Sequence, residues 1–248
     1  MLIRENQHLR FMKYAKNYWL LLQTILATMA LPSIAYHLRG VKLSDQFSPI
    51  INQQLSYQLV TLLLAAAMLV VLNYSRKEVF KTYFRKGDAN KRFLPAPYLG
   101  IRPKPNETWK KAGIEWALVI SLVTVIVIYL QLFGEESTPS LAKLAAVFPL
   151  AVLVALVNSF VEESICRIGV IVALKGVYDD GKIAIVSGLL FGSVHYFGTP
   201  GGFTGAIVSG FLGWFLAKSI LETKGIFWAW LIHFLQDIII ITALFTLG

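Results

Sequence analysis

Long apolar runs separated by short polar interruptions organise this chain. Stretches long enough to cross a bilayer occupy about residues 18–36, 55–74 and 112–133, and a nearly continuous apolar run extends from 141 to 247, broken only by short polar turns. Backbone groups in lipid have to satisfy one another within the segment, and these runs are longer than barrel strands, so each predicts a helix. The expected fold is all-α, a polytopic transmembrane helical bundle of about seven spans, or eight if Pro149 breaks the run from 141 to 178. The chain divides into N-terminal membrane spans over 1–74, a basic connector over 75–111, and a C-terminal helical bundle over 112–248 with its core at 141–247. Within the connector, LPAPYLGIRPKP (94–105) is proline-rich and predicts extended chain rather than helix.

Composition narrows the class. Hydrophobic residues make up 56% of the 248 and the mean hydropathy is +0.62, above the roughly 45–50% apolar content of soluble domains. One cysteine, Cys166, excludes an internal disulfide and reads as a buried apolar thiol.

Charge placement sets orientation. The first 17 residues carry Arg4, Arg10, Lys13 and Lys16, the turn at 37–54 carries only Arg39 and Lys42, the segment 75–111 holds eleven basic residues, and GEESTPS (134–140) holds none. That alternation places the N-terminus and the connector in the cytoplasm. A cleavable signal peptide over 1–36 is the weaker reading, because its polar lead is long and no small-x-small site follows. The basic connector reads as a segment bound to acidic membrane lipids rather than to nucleic acid.

Against this apolar background, VEESICR (161–167) places Glu162, Glu163 and Arg167 within six residues. Each charge costs about 2.5 to 3.5 kcal/mol at a helix centre, so the three must face partners or a wet cavity. Glu163 and Arg167, four apart, fall on one helix face and neutralise each other, whereas Glu162 is rotated away and left available. Two further constellations follow: FGSVH (191–195), with His195 near the end of a span beginning around Ile183, and HFLQD (233–237), with His233 and Asp237 on one helix face. Spacings of about one span plus a turn bring the three to similar depth on consecutive antiparallel helices. Any one of them is equally an interhelical clamp. Together, two histidines and three carboxylates supply a base, a proton shuttle and polar groups for an oxyanion, the ingredients of acid–base hydrolysis.

Small residues at Gly205, Ser209, Gly213 and Ala217, and at Gly188 and Gly192, form stripes that suit close helix packing. Trp19, Trp116, Trp214, Trp228 and Trp230 read as interfacial anchors or packing residues.

The order EExxxR, FxxxH, HxxxN/D resembles the CPBP (ABI) family of intramembrane proteases, which includes CAAX prenyl endopeptidases and bacteriocin-processing or immunity-associated proteins. The resemblance covers about residues 141–247. It implies an intramembrane endopeptidase of a prokaryotic plasma membrane, acting on a membrane-associated protein or peptide. It also implies catalytic roles for Glu162, His195, His233 and Asp237: Glu162 and His195 activate a water, and His233 with the residue at 237 stabilises the oxyanion. Glu163 and Arg167 are the implied supporting pair. Two departures stand out, Cys166 and Ile168 flanking the arginine where the family has an aromatic residue and a glycine, and Asp237 where many members have asparagine. An ionised carboxylate donates no hydrogen bond, so Asp237 acts protonated or else orients His233 as an acceptor.

The expected mechanism uses no metal or other cofactor. Zinc is the alternative, with Glu162, His195 and His233 as ligands, although no HExxH signature is present. A non-catalytic scaffold or immunity protein of the same fold would be marked by loss of a motif residue, and none is lost. A proton-coupled transporter would show repeats in two halves, and none is visible. The substrate stays open between a prenylated C-terminus, a leader peptide and a membrane-anchored regulator.

Overall fold

Among the described residues, eight α-helices account for most of the structure. The protein's structure is a computed structural model that describes residues 2–133 and 140–247, with side chains from Tyr14 onward. The acidic turn expected at 134–140 falls largely outside the described residues. The helices are α1 (Leu2–His37), α2 (Pro49–Tyr83), α3 (Trp109–Leu132), α4 (Leu141–Glu162), α5 (Gly169–Leu174), α6 (Asp180–His195), α7 (Gly202–Thr223) and α8 (Phe227–Leu247). Among the described residues no strand forms; three isolated bridges occur instead.

Among the described residues, six segments are long and apolar enough to cross a membrane, namely Tyr14–His37, α2, α3, the continuous run Leu141–Leu174, α7 and α8. With the 16-residue α6 as a further apolar helix, the chain is an integral membrane helical bundle. The eight-span alternative does not hold, because Pro149 lies inside α4 and the helix runs on to Leu174 without a break. Neighbouring helices of a bundle can absorb the freed backbone group. The basic segment also begins as helix: α2 continues to Tyr83, with a non-helical kink at Arg76 (φ −143°, ψ 56°). The proline-rich stretch carries only a single 3₁₀ turn, Pro97–Leu99.

Local chemistry places the helix starts. Ser48 caps α2 ahead of Pro49, Ser140 accepts from the Lys143 N–H at 3.2 Å, and Asp179 accepts from the Lys182 N–H at 3.0 Å. Where α5 ends, Arg76 takes over the orphan carbonyls, donating to Val172 at 2.7 Å, Ala173 at 3.1 Å and Lys175 at 2.8 Å. One cation of the basic segment is thus a helix cap.

The small-residue stripes lie between α6 and α7. A Cβ on Gly192 would stand 2.5 Å from the Ala206 carbonyl oxygen, and one on Gly213 would stand 2.8 Å from the Phe191 Cβ. Those contacts hold α6 tightly against α7 and seat Phe191 in the core, where it is 1% exposed. Trp214 and Trp228 are buried packing residues, whereas Trp19 is exposed.

Candidate active site

The centre of the bundle is a wide turn. Between α4 and α5 the backbone adopts π-helical geometry over Glu163–Ile168, and every residue of that turn is buried. Single π turns inside α-helices recur at functional sites because they re-aim side chains. Glu162 (φ −69°, ψ −39°) and Glu163 (φ −65°, ψ −37°) follow one another with α-helical backbone, so Glu162 is turned from Glu163 and faces the other ring nitrogen of a shared histidine. Both glutamates address one imidazole: Glu163 Oε1 lies 2.8 Å from His233 Nδ1, and Glu162 Oε2 lies 3.5 Å from His233 Nε2. Asp237 Oδ1 stands 3.5 Å from the same Nε2. Three carboxyl groups therefore surround His233.

Asn158, one turn before Glu162, joins them. Its side-chain amide donates to Glu162 Oε1 at 3.2 Å and to Asp237 Oδ2 at 3.1 Å, and its own oxygen accepts from Gln58 Nε2 at 3.1 Å. Sequence reasoning missed Asn158 and Gln58. The available signal was the spacing: Asn158 is four residues before Glu162 and so shares its helix face.

Arg167 is fully buried, its Nε 3.2 Å from Glu163 Oε1 and its guanidinium carbon 3.6 Å from the Phe191 ring centre. The Phe191 ring also meets the His195 ring at 4.1 Å and, edge to face, the His233 ring at 5.6 Å between centroids. A single phenyl ring thus spaces the buried cation and both imidazoles, a physical role for the phenylalanine of FxxxH.

His195 holds Phe191 O at 2.9 Å through Nδ1. A carbonyl oxygen only accepts, so Nδ1 carries the proton and the neutral ring keeps its lone pair on Nε2. His195 lies in the wall of a cavity of about 500 Å³ that Asn158, Glu162, His233 and Asp237 also line, within the roughly 300–1,000 Å³ of small-ligand sites. Glu162 Oε2 is buried and has no hydrogen-bond partner among the described residues. Cys166 is buried as expected and lines the same cavity, with Thr28 Oγ1 3.6 Å from its sulfur.

All six motif residues converge around Phe191 and this cavity. Three carboxyl groups and His233 thus share the site with one fixed cation, Arg167. On the far side, Gln236 ties α8 to α3 through Thr124 Oγ1 at 2.7 Å and Ser121 Oγ at 3.1 Å. For zinc, the donor types are suitable, and a histidine whose Nδ1 is held by a carboxylate is common at metal sites. Among the described residues no group of three His, Cys, Asp or Glu side chains is arranged as an ion site, and zinc stays the alternative that chelation tests.

Residues 144–239 match the family model described as Rce1-like, type II CAAX prenyl endopeptidase. The matched segment contains every motif residue from Glu162 to Asp237. No curated protein and no solved structure matches the chain.

Proposed function

Proceeding from a bundle that carries a CAAX-type intramembrane protease segment, a hydrolase acting on membrane-associated substrates, we propose that it cleaves a peptide bond with a water activated by Glu162 and His195. The observation that carries this reading is that one cavity is lined by two acceptors: Glu162 Oε2, which makes no hydrogen bond although His233 Nε2 lies 3.5 Å away, and His195 Nε2, left as the basic nitrogen once Nδ1 binds Phe191. A water between them loses a proton as its oxygen attacks the carbonyl carbon, and the acid so formed returns that proton to the leaving amine.

His233 and Asp237 face the same space and are suited to the negative charge that develops on the carbonyl oxygen. A fixed donor in a site shielded from water stabilises such charge far more than one in water. Glu163 holds His233 through Nδ1 and Arg167 through Nε, so it orients the ring from behind and supports rather than reacts. No metal enters the proposed steps. The N-terminus faces the cytoplasm in this reading, and the membrane is a prokaryotic plasma membrane.

The test is hydrolysis of membrane-peptide substrates by purified protein in detergent, comparing the parent with Glu162→Gln. Glutamine keeps an oxygen for the Asn158 amide but cannot take a proton. Activity should fall by at least about 10²-fold, as for other lost general bases, with thermal stability unchanged. Full activity in that variant would sink the mechanism.

A further inference from the structure

Helix polarity gives the bundle two ends with very different charge. At one end meet the start of α1, the end of α2, the connector, the start of α3, the α5–α6 turn and the α7–α8 turn. Hydrogen bonds join them: Arg76 to the α5 carbonyls, Tyr18 to Tyr178 at 3.1 Å, Arg85 to the Lys224 carbonyl at 3.0 Å, and the Leu94 N–H to Glu222 at 3.0 Å. Of the twenty lysines and arginines with described side chains, sixteen lie at this end, three (Arg39, Lys42 and Lys143) lie at the other, and Arg167 is inside. Such a bias marks the cytoplasmic side.

The site cavity runs the opposite way. From its floor at Glu162, His233 and Asp237 it reaches Tyr36, Arg39, Gln53 and Gln54 at the α1–α2 turn, and no residue of the basic end lines it. Its rim is open, with Tyr36 62% and Phe197 78% exposed, whereas His233 and Asp237 are 3% and 6% exposed.

The length of α6 gives a second, independent reason. Sixteen residues span only about 24 Å at 1.5 Å each, short of the roughly 30 Å hydrocarbon core. Starting from the basic end, α6 therefore stops inside the membrane, and the turn at 196–201 lies at membrane depth. Irregular backbone there is tolerated only where it is buried in protein or lines a wet cavity. Phe197, Gly198, Thr199 and Pro200 line this cavity.

We propose that the cavity opens to the extracytoplasmic side, so that both the attacking water and the substrate arrive from there. This rests on the reading of Glu162 and His195 as the water-activating pair. The substrate class is then a membrane-anchored polypeptide whose extended, cleavable segment lies at the outer leaflet. A prenylated tail inserted from the cytoplasmic leaflet would meet the closed, basic end of the bundle.

The test uses single cysteines and a membrane-impermeant cationic thiosulfonate on sealed vesicles of defined orientation. Val194→Cys probes the cavity wall beside His195, Gln54→Cys the rim, and Lys91→Cys the connector. Each is placed in a Cys166→Ser background, or in the native background with the parent chain as blank if that background fails to accumulate. Expected is labelling of positions 54 and 194 in right-side-out vesicles and its loss in inside-out vesicles, with the reverse for position 91. Labelling of position 194 only from the cytoplasmic face overturns the proposal, as does protection from both faces while a permeant thiol reagent reaches it. The readout needs no catalysis, so an inactive protein in detergent would sink the protease reading and leave the access result standing.

Discussion

The side-chain amide of Asn158 reaches from α4 to α8 and donates to Asp237 at 3.1 Å. The same amide holds Glu162 at 3.2 Å, and Gln58 on α2 fixes its oxygen at 3.1 Å. One neutral side chain thus bridges two buried carboxyl groups and sets their separation. Asn158→Ala should lower kcat by about tenfold or more with KM nearly unchanged, and should alter the pH profile, because the carboxyl groups then interact without a shared donor. The loss of stability should be about 1 to 3 kcal/mol, that of hydrogen bonds to buried polar groups. Steady-state kinetics across pH with a thermal melt check both, and an unaltered pH profile would show that Asn158 only fills space.

A second expectation separates the two glutamates. Glu163 is the partner of both Arg167 and His233. Glu163→Ala strands a buried guanidinium, at a cost of about 3 to 5 kcal/mol. Glu162→Ala strands no cation and should melt near the parent temperature while losing activity. Combining Glu163→Ala with Arg167→Leu should recover part of the stability. Equal melting of the two single variants would show that the roles are assigned wrongly.

What the sequence makes visible follows from cost. Glu162, Glu163, Arg167, His195, His233 and Asp237 announce themselves because ionisable groups in apolar runs need a reason to be there. Asn158 and Gln58 are neutral and blend into their helices; their meaning appears only once α2, α4 and α8 are side by side. Phe191 is readable as a motif position, but not as the ring that separates Arg167 from both histidines. The π turn at Glu163–Ile168 carries no proline or glycine within it, so an ordinary α-helix is the natural expectation there. Arg76 likewise reads as one topology-setting cation among eleven until the kink in α2 aims it at the end of α5.

That cap yields a third expectation. Arg76 makes charge-assisted hydrogen bonds to three carbonyls at the C-terminal end of α5, which continues the run that carries the site glutamates. Arg76→Gln should reduce thermal stability by about 1.5 to 3 kcal/mol, as expected for hydrogen bonds to charged groups. Arg76→Lys should recover little, since an ammonium does not reproduce the planar fork. A lysine variant as stable as the parent would mean that charge alone, not geometry, is what α5 requires.

The last expectation turns on Asp237. One oxygen accepts from Asn158 and the other lies 3.5 Å from His233 Nε2 on the cavity wall. A protonated acid and an amide present the same pattern here, an oxygen toward Asn158 and a donor toward the cavity. If Asp237 serves the oxyanion as a donor, Asp237→Asn should keep activity within about threefold of the parent and extend it to more alkaline pH, where the acid would ionise. If Asp237 instead contributes to a zinc site, the neutral amide should weaken metal binding and activity together. The measurement is a pH–rate profile of Asp237→Asn beside metal analysis and chelator treatment of the parent. Chelator resistance with an active variant supports the metal-free donor role. A chelator-sensitive parent together with an inactive Asp237→Asn would overturn it, and the carboxylate would then be required as a ligand.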